Sequence, residues 1–422
     1  MVKATALTWT SAATSTSLES GAAPGNLVFT LGITTALANT DTLDITASQA
    51  IWSATGATTC TATIGGTATT AFTTAATSTS ILRVSATGAI PTGTFVLTCT
   101  SNIAVNGAAG AVTFDIVSTK DTIALTGQTG YTITPGAITS ASVTPASLAA
   151  GASSAVTATF TIVNNVPADG KFEITFPTGF DVSSATITSI SGQGGTAGTG
   201  HTIAINGQKV TVTRGTAGTP GAFTAGGVTT VVLGSVKNPG ISGTTGTYTI
   251  TTTNTGGTAI DTLTTVAGSG ITAGAISSAT ITPASLVAGA SGNAVLAFTM
   301  SNPLPKDGKV VVTFPAGFDL TNTPVASSST SEIDGTFVTT VVGQVVTITR
   351  QNDGTDEAAG AITDLTLSNI GNPRYSGATG IFTIKTTLND DTITIDTLAT
   401  VPSVSITPGA ISSATITPAS LV

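Results

Sequence analysis

Charge, aromatic rings, histidine and cysteine are all scarce in this chain of 422 residues. Charged residues make up 8%, aromatics 5%, and there are one histidine, two cysteines and two tryptophans. Each scarcity removes a class of function. Lys and Arg number 12 against 20 Asp and Glu, a net charge of −8. No basic face is available to neutralise phosphates, so nucleic acid is excluded as a partner. The one histidine, His201, lies in the Gly-rich stretch SGQGGTAGTGHTIAING. A histidine-dependent nucleophile or metal site would need partners placed around it. His201 is therefore expected to be an exposed loop residue and the chain not to be an enzyme. No catalytic, cofactor-binding or metal-binding residue is assigned.

No run approaches the roughly 18 uninterrupted apolar residues of a membrane-spanning helix, so no membrane span is expected. The opening MVKATALTWTSAATS lacks the apolar core of a secretory signal. No Asn-X-Ser/Thr acceptor stands in the chain, whereas its many threonines suit O-glycans. Disorder is excluded by a mean hydropathy of +0.42 and an abundance of Val and Ile. A long helix is disfavoured as well, because side chains branched at Cβ lose rotamer freedom against the preceding helical turn.

What the chain has is repetition. ASLAAGASSAVTATFTIVNNVPADGKFEITFPTGFDV, from Ala146, aligns with ASLVAGASGNAVLAFTMSNPLPKDGKVVVTFPAGFDL, from Ala284. VVLGSVKNPGISGTTGTYTITTT, from Val231, aligns with LTLSNIGNPRYSGATGIFTIKTT, from Leu365. The start of the chain is a divergent third copy, with SLESGAAPGNLVFTLGITTALANTDTLDIT from Ser17 lying over SLAAGASSAVTATFTIVNNVPADGKFEIT. Asp121, Asp261 and Asp396 fall at one place in the three copies, and Arg214 and Arg350 at another in the last two. Two readings stand for them: a structural ion pair between this acid and this base, of a worth set by its position and exposure, or an aspartate hydrogen-bonded as the cap of a turn, which explains the acid equally well.

Within each copy apolar residues alternate with Thr or Ser: Val156, Ala158, Phe160 and Ile162 on one face, Phe172, Ile174 and Phe176 likewise. Period two with one apolar face means antiparallel strands over a core. PADG, PKDG, INGQ and VGQ supply the turns between them. Roughly seven to nine such strands in about 130 residues read as an immunoglobulin-like β-sandwich. The expected fold class is therefore all-β, with tandem sandwiches arranged end to end as a rod. Expected units are 1–135 (divergent), 136–273 and 274–408, with joints of two or three residues that leave little room for a tether.

The last fourteen residues, GAISSATITPASLV from Gly409, repeat Gly274–Val287 letter for letter. Residues 409–422 are read as the first strand of a further repeat, the chain being a piece of a longer array. The other reading is a donor strand, in which Ile411, Ile416 and Leu421 fill a groove of a neighbouring subunit.

Two pairs belong to the first copy alone. Cys60 and Cys99 sit in strand-like TTCTAT and FVLTCT, and a disulfide across that sandwich is expected. Trp9 and Trp52 are either core residues or rings that stack on a sugar ligand. Asp353, Asp356, Glu357, Asp390 and Asp391 lack the alternating spacing that gathers oxygens around calcium, and are read as solvated turns. Lys171 and Lys309, at the PADG and PKDG hairpins, are read as charges reaching water rather than partners in an isopeptide bond.

At TFPAGFDL, with NPLPKDGK before it and NPRYSGATGIFTIKTT after it, the sequence resembles the Thr/Gly-rich tandem Ig-like repeats of large cell-surface and extracellular fibre proteins. The likeness covers the second and third copies, and the first weakly. It implies an extracellular or cell-surface location and a structural role in a filament, appendage or surface layer. Partners would be neighbouring repeats and other copies of the chain, self-associated into a fibre or layer. The alternative is an adhesin or stalk whose first domain, through Trp9 and Trp52, binds a glycan or protein.

Overall fold

The computed structural model describes residues 6–14, 18–121, 123–192, 199–218, 221–330, 332–417 and 419. Among them every regular element is a strand. The alternation read from the sequence becomes alternation of burial: Lys209–Thr213 and Val345–Arg350 each bury every second side chain. INGQ and VGQ close hairpins. PADG and PKDG are corrected from hairpins to turns between sheets, since Ser153–Thr161 and Lys171–Thr175 lie in different sheets, as do Ser291–Thr299 and Lys309–Thr313. Gly343 and Gln344 form a two-residue loop between Phe337–Val342 and Val345–Arg350, with Gly343 at φ +61°. In PKDG the Gly308 N–H donates to the Pro305 carbonyl at 2.8 Å, and PADG repeats this with Gly170 and Pro167 at 2.9 Å.

The second and third copies share one topology. In the second, a six-stranded sheet runs Gly136–Ala137, Ala259–Val266, Tyr248–Thr253, Lys171–Thr175, Lys209–Thr213, Thr202–Asn206. Facing it is a four-stranded sheet of Thr139–Pro145, Ser153–Thr161, Val228–Lys237 and Thr186–Gly192. The third copy places Gly274–Ala275, Thr394–Val401, Phe382–Thr387, Lys309–Thr313, Val345–Arg350 and Phe337–Val342 in the same six-strand order. In both, the opening segment splits between the sheets. Gly136–Ala137 runs parallel to Asp261 and Thr262, and Gly274–Ala275 runs parallel to Asp396 and Thr397, before the chain crosses to the other sheet.

Three clusters of buried side chains result, each drawn from one copy: Leu7 to Ile133, Ile138 to Ile271, and Ile276 to Val401. Burying each Phe, Leu or Ile contributes about 1.5–3 kcal/mol, so each sandwich rests on its own core. The architecture is tandem immunoglobulin-like β-sandwiches.

The first copy keeps the frame and changes the filling. Cys60 and Cys99 are bonded, with Cα atoms 4.0 Å apart. The bond does not cross the sandwich. It joins directly opposed residues of neighbouring strands Cys60–Ile64 and Gly93–Cys99 in one sheet, because the register pairs the two positions. Trp52 is 1% exposed and cannot stack on a ligand. Trp9 is half-buried, lies against Phe114 with ring centroids 5.6 Å apart, and donates its indole N–H to the Thr129 carbonyl. The sugar-stacking reading is corrected for Trp52, which is core; Trp9 braces the sandwich edge while staying partly exposed.

Candidate functional site

The recurring aspartate leads to the joints. Strand Ala259–Val266 holds Asp261 at 0% exposure, where an ion is stable only if its oxygens are fully engaged. Asp261 Oδ2 accepts the backbone N–H groups of Val163 and Asn164, both at 3.0 Å. Asp261 Oδ1 accepts the Asn164 side-chain amide at 2.6 Å. The third copy repeats the set. Asp396 Oδ2 takes the N–H groups of Ser301 and Asn302, each at 2.9 Å, and Oδ1 takes Asn302 Nδ2 at 2.7 Å. Three donors on one carboxylate make charge-assisted bonds, which are short and strong and offset burial of the charge.

Each asparagine amide has a second N–H, and this one leaves its own sandwich. Asn164 Nδ2 donates to the Ser20 carbonyl at 3.0 Å, in the preceding copy. Asn302 Nδ2 donates to the Ala150 carbonyl at 3.2 Å, again in the preceding copy. Ser20 and Ala150 occupy the same place in SLESG and SLAAG. One side chain therefore ties a buried carboxylate of one sandwich to the end loop of the one before it.

The receiving loop is rigid. Ala150 N–H donates to the Thr272 carbonyl at 2.9 Å and Thr272 N–H to the Leu148 carbonyl at 2.8 Å. Asn238 Nδ2 braces the Ser147 and Ala149 carbonyls at 2.8 and 2.9 Å. Glycines make room for the clasp from both sides. A Cβ on Gly136 would lie 2.5 Å from both Asn164 Nδ2 and Asp261 Oδ1, and one on Gly274 would collide with Asp396 and Asn302. On the receiving side, a Cβ on Gly21 would strike Asn164 Oδ1, and one on Gly151 would strike Asn302 Oδ1. The second and third copies touch again where Ser242 Oγ donates to the Thr394 carbonyl at 2.6 Å. A cleft beside this contact is lined by Gly, Thr, Pro, Ile and Ser242, with no charged side chain among the described residues that line it.

The first copy carries the acid without the amide. Asp121 is 2% exposed, and its Oδ1 accepts hydroxyls of Thr34 and Thr35 at 3.1 and 2.8 Å. Thr35 stands where Asn164 and Asn302 stand in the other copies.

Of the two readings of the recurring Asp, the hydrogen-bonded one holds and the pairing with the recurring Arg is not made. Backbone N–H groups and an Asn amide satisfy the acid, while loop carbonyls, joined by Asp334 at Arg350, take the guanidinium. Arg214 donates to the carbonyls of Pro167 and Gly221 at 2.8 and 2.7 Å, and its guanidinium lies 3.8 Å over the Phe223 ring. Burial holds its pKa below the usual arginine value. Arg350 donates to the Pro305 carbonyl at 2.8 Å and pairs with Asp334, also at 2.8 Å. His201 Nδ1 accepts the Gly215 N–H at 3.0 Å, and burial followed by the Arg214 charge lowers its pKa.

Lys309 corrects another expectation. Its side chain is 12% exposed and its ammonium pairs with Asp391 at 2.6 Å instead of reaching water, since the turn of Asp390 and Asp391 folds over it. Asp353 and Asp356 brace loops, accepting the Thr336 and Lys306 N–H groups at 2.8 and 2.9 Å. Among the described residues no cluster of three potential metal ligands occurs. Ile411 and Ile416 are 85% and 93% exposed, and Leu421 lies outside the described residues.

No protein-family model and no curated protein matches the chain. Solved structures do. The C-terminal domain of the Streptococcus agalactiae AgI/II polypeptide BspA is 11% identical over 62% of this chain and 94% of its own, with a TM-score of 0.21. The type II cohesin dyad from the adaptor ScaA scaffoldin of Acetivibrio cellulolyticus is 9% identical over 59% and 87%, with a TM-score of 0.16. BcpA, the major pilin subunit of Bacillus cereus, is 14% identical over 84% and 91%, with a TM-score of 0.22. These scores carry no argument about function.

Proposed function

We propose that the chain is a structural element of an extracellular or cell-surface filament, appendage or layer, with sandwiches at 1–135, 136–273 and 274–408. Residues 409–422 serve as the first strand of a further repeat. The role is mechanical and non-enzymatic. The observation that carries this reading is the clasp itself, made twice in the same way at successive joints. A flexible tether would leave the joint free to swing. An amide shared between two sandwiches, half-buried at Asn164 and buried at Asn302, restrains their relative setting, as a load-transmitting stalk needs. Sparse charge and a Thr-covered surface suit lateral packing and O-glycans. The adhesin reading loses its motive with Trp52 in the core.

Scattering tests the mechanical half. Three sandwiches spaced by about 40 Å give a radius of gyration of about 35 Å, against about 22 Å for one globule of this length. A value near the smaller figure overturns the rod. Immunogold labelling of intact source cells tests the location: gold on filaments or coat is expected, and gold confined to the cell interior refutes it.

A further inference from the structure

The receiving half of the clasp occurs a third time. In the third copy Ala288 N–H donates to the Thr407 carbonyl at 2.9 Å, and Thr407 N–H to the Leu286 carbonyl at 2.7 Å. Asn372 Nδ2 braces the Ser285 and Val287 carbonyls at 2.7 and 3.0 Å, as Asn238 braces its loop. Gly289 has φ +70°, matching Gly21 at +74° and Gly151 at +67°. This end is built like the two that are occupied.

Its surroundings differ in one respect. A Cβ on Gly21 or Gly151 meets an asparagine of the next copy, whereas one on Gly289 has nothing within 4 Å. Gly136 and Gly274 are buried in their joints, and Gly409 is exposed. Ile138 and Ile276 are 3% and 1% exposed, and Ile411, their counterpart, is 85% exposed. In the occupied cases the Ile138 N–H donates to the Thr262 carbonyl and the Ile276 N–H to the Thr397 carbonyl, each at 3.1 Å.

We propose that the Ala288 carbonyl, Gly289, Gly409 and the exposed segment 409–417 form the receiving half of a third joint. Its occupant is a repeat body of the 288–408 type, which supplies the Asn–Asp clasp and takes residues 409–422 as its own first strand. The occupied joints define this partner: an asparagine where Asn302 stands, and an aspartate where Asp396 stands, beside a glycine where Gly409 stands. A first copy from another molecule does not fit, because it carries Thr35 in place of the asparagine and its own strand Thr8–Thr14.

The proposal rests on the tandem reading above, and its test separates the two. Because 409–422 repeats 274–287, a second copy of residues 288–408 added directly after Val422 makes an uninterrupted fourth repeat. Backbone amide exchange at Ile411 and Ile416 is measured with and without the addition, and slowing of at least ~100-fold is expected on strand pairing. Side-chain amide exchange of the added asparagine reads the clasp, with slowing of at least ~10-fold expected, matching Asn164 and Asn302. Gly289→Ala removes that protection in the extended chain and leaves Ile411 protected. Fast exchange at Ile411 in the extended chain overturns the proposal, including the case in which the added residues do not fold. An asparagine amide indifferent to Gly289→Ala overturns it too. The three-sandwich radius of the 1–422 chain is unaffected by either failure.

Discussion

Substituting alanine at three equivalent glycines isolates what a joint contributes. Gly21, Gly151 and Gly289 share a left-handed backbone, at φ +74°, +67° and +70°. Alanine at such an angle costs about 1 kcal/mol relative to glycine, and all three variants carry that strain. Only two carry a collision, since the added methyl strikes Asn164 at Gly21 and Asn302 at Gly151 and has open space at Gly289. Moving Asn302 aside gives up its bonds to the Ala150 carbonyl and to buried Asp396. A neutral bond contributes about 0.5–1.5 kcal/mol and a charge-assisted one about 1.5–3, so Gly151→Ala should cost about 2–4.5 kcal/mol more than Gly289→Ala. That difference is roughly a 30- to 2000-fold shift in the docking equilibrium. Calorimetry of the full chain reads the cost, and scattering reads the joint: Gly21→Ala and Gly151→Ala broaden the distance distribution, and Gly289→Ala leaves it unchanged. Equal behaviour of all three variants would refute the clasp as the determinant of joint geometry.

Asp396→Asn leaves one acceptor oxygen for donors that engage two, so its NH2 opposes either the Ser301 and Asn302 N–H groups or the Asn302 side-chain amide. It should destabilise the third sandwich by about 3 kcal/mol, lowering its Tm by about 10 °C in calorimetry. Reducing Cys60–Cys99, which closes a 39-residue separation, should remove about 4 kcal/mol from the first sandwich alone, read as one calorimetric transition moving while two stay. His201, the single imidazole, should titrate below 6.5 by NMR, because burial and Arg214 disfavour its cation. The second sandwich then loses stability as pH falls through 6.5 toward the depressed value, since the unfolded chain takes up the proton first; a midpoint at or above 6.5 contradicts this. The Asp364 carboxyl is pushed down to about 2: burial opposes its ionisation, and hydrogen bonds from Ser329 and Ser328 outweigh it. Its loop contacts should persist until pH falls below 3.8 toward 2, seen as loss of Ser329 amide protection.

The strands and most of the turns were legible in the sequence, because each is written in short-range pattern. Alternation in VTATFTI decides which side chains enter a core, and a glycine in VGQ decides where a hairpin reverses. The sequence also marked Asp261 and Asp396 by recurrence, and the alignment that did so sets Asn164 over Asn302, a signal for the clasp that charge-based searching passes by. Only tertiary structure decided where those groups point. The asparagines meet carbonyls 144 and 152 residues away, a distance no local period encodes. Arg350 turned from the recurring aspartate to Asp334 and loop carbonyls, Lys309 was folded under its turn, and adjacent Ile51 and Trp52 both went inward against the alternation. Strand identity follows from side chains two residues apart, but a joint is made by surfaces that meet only after each sandwich has closed.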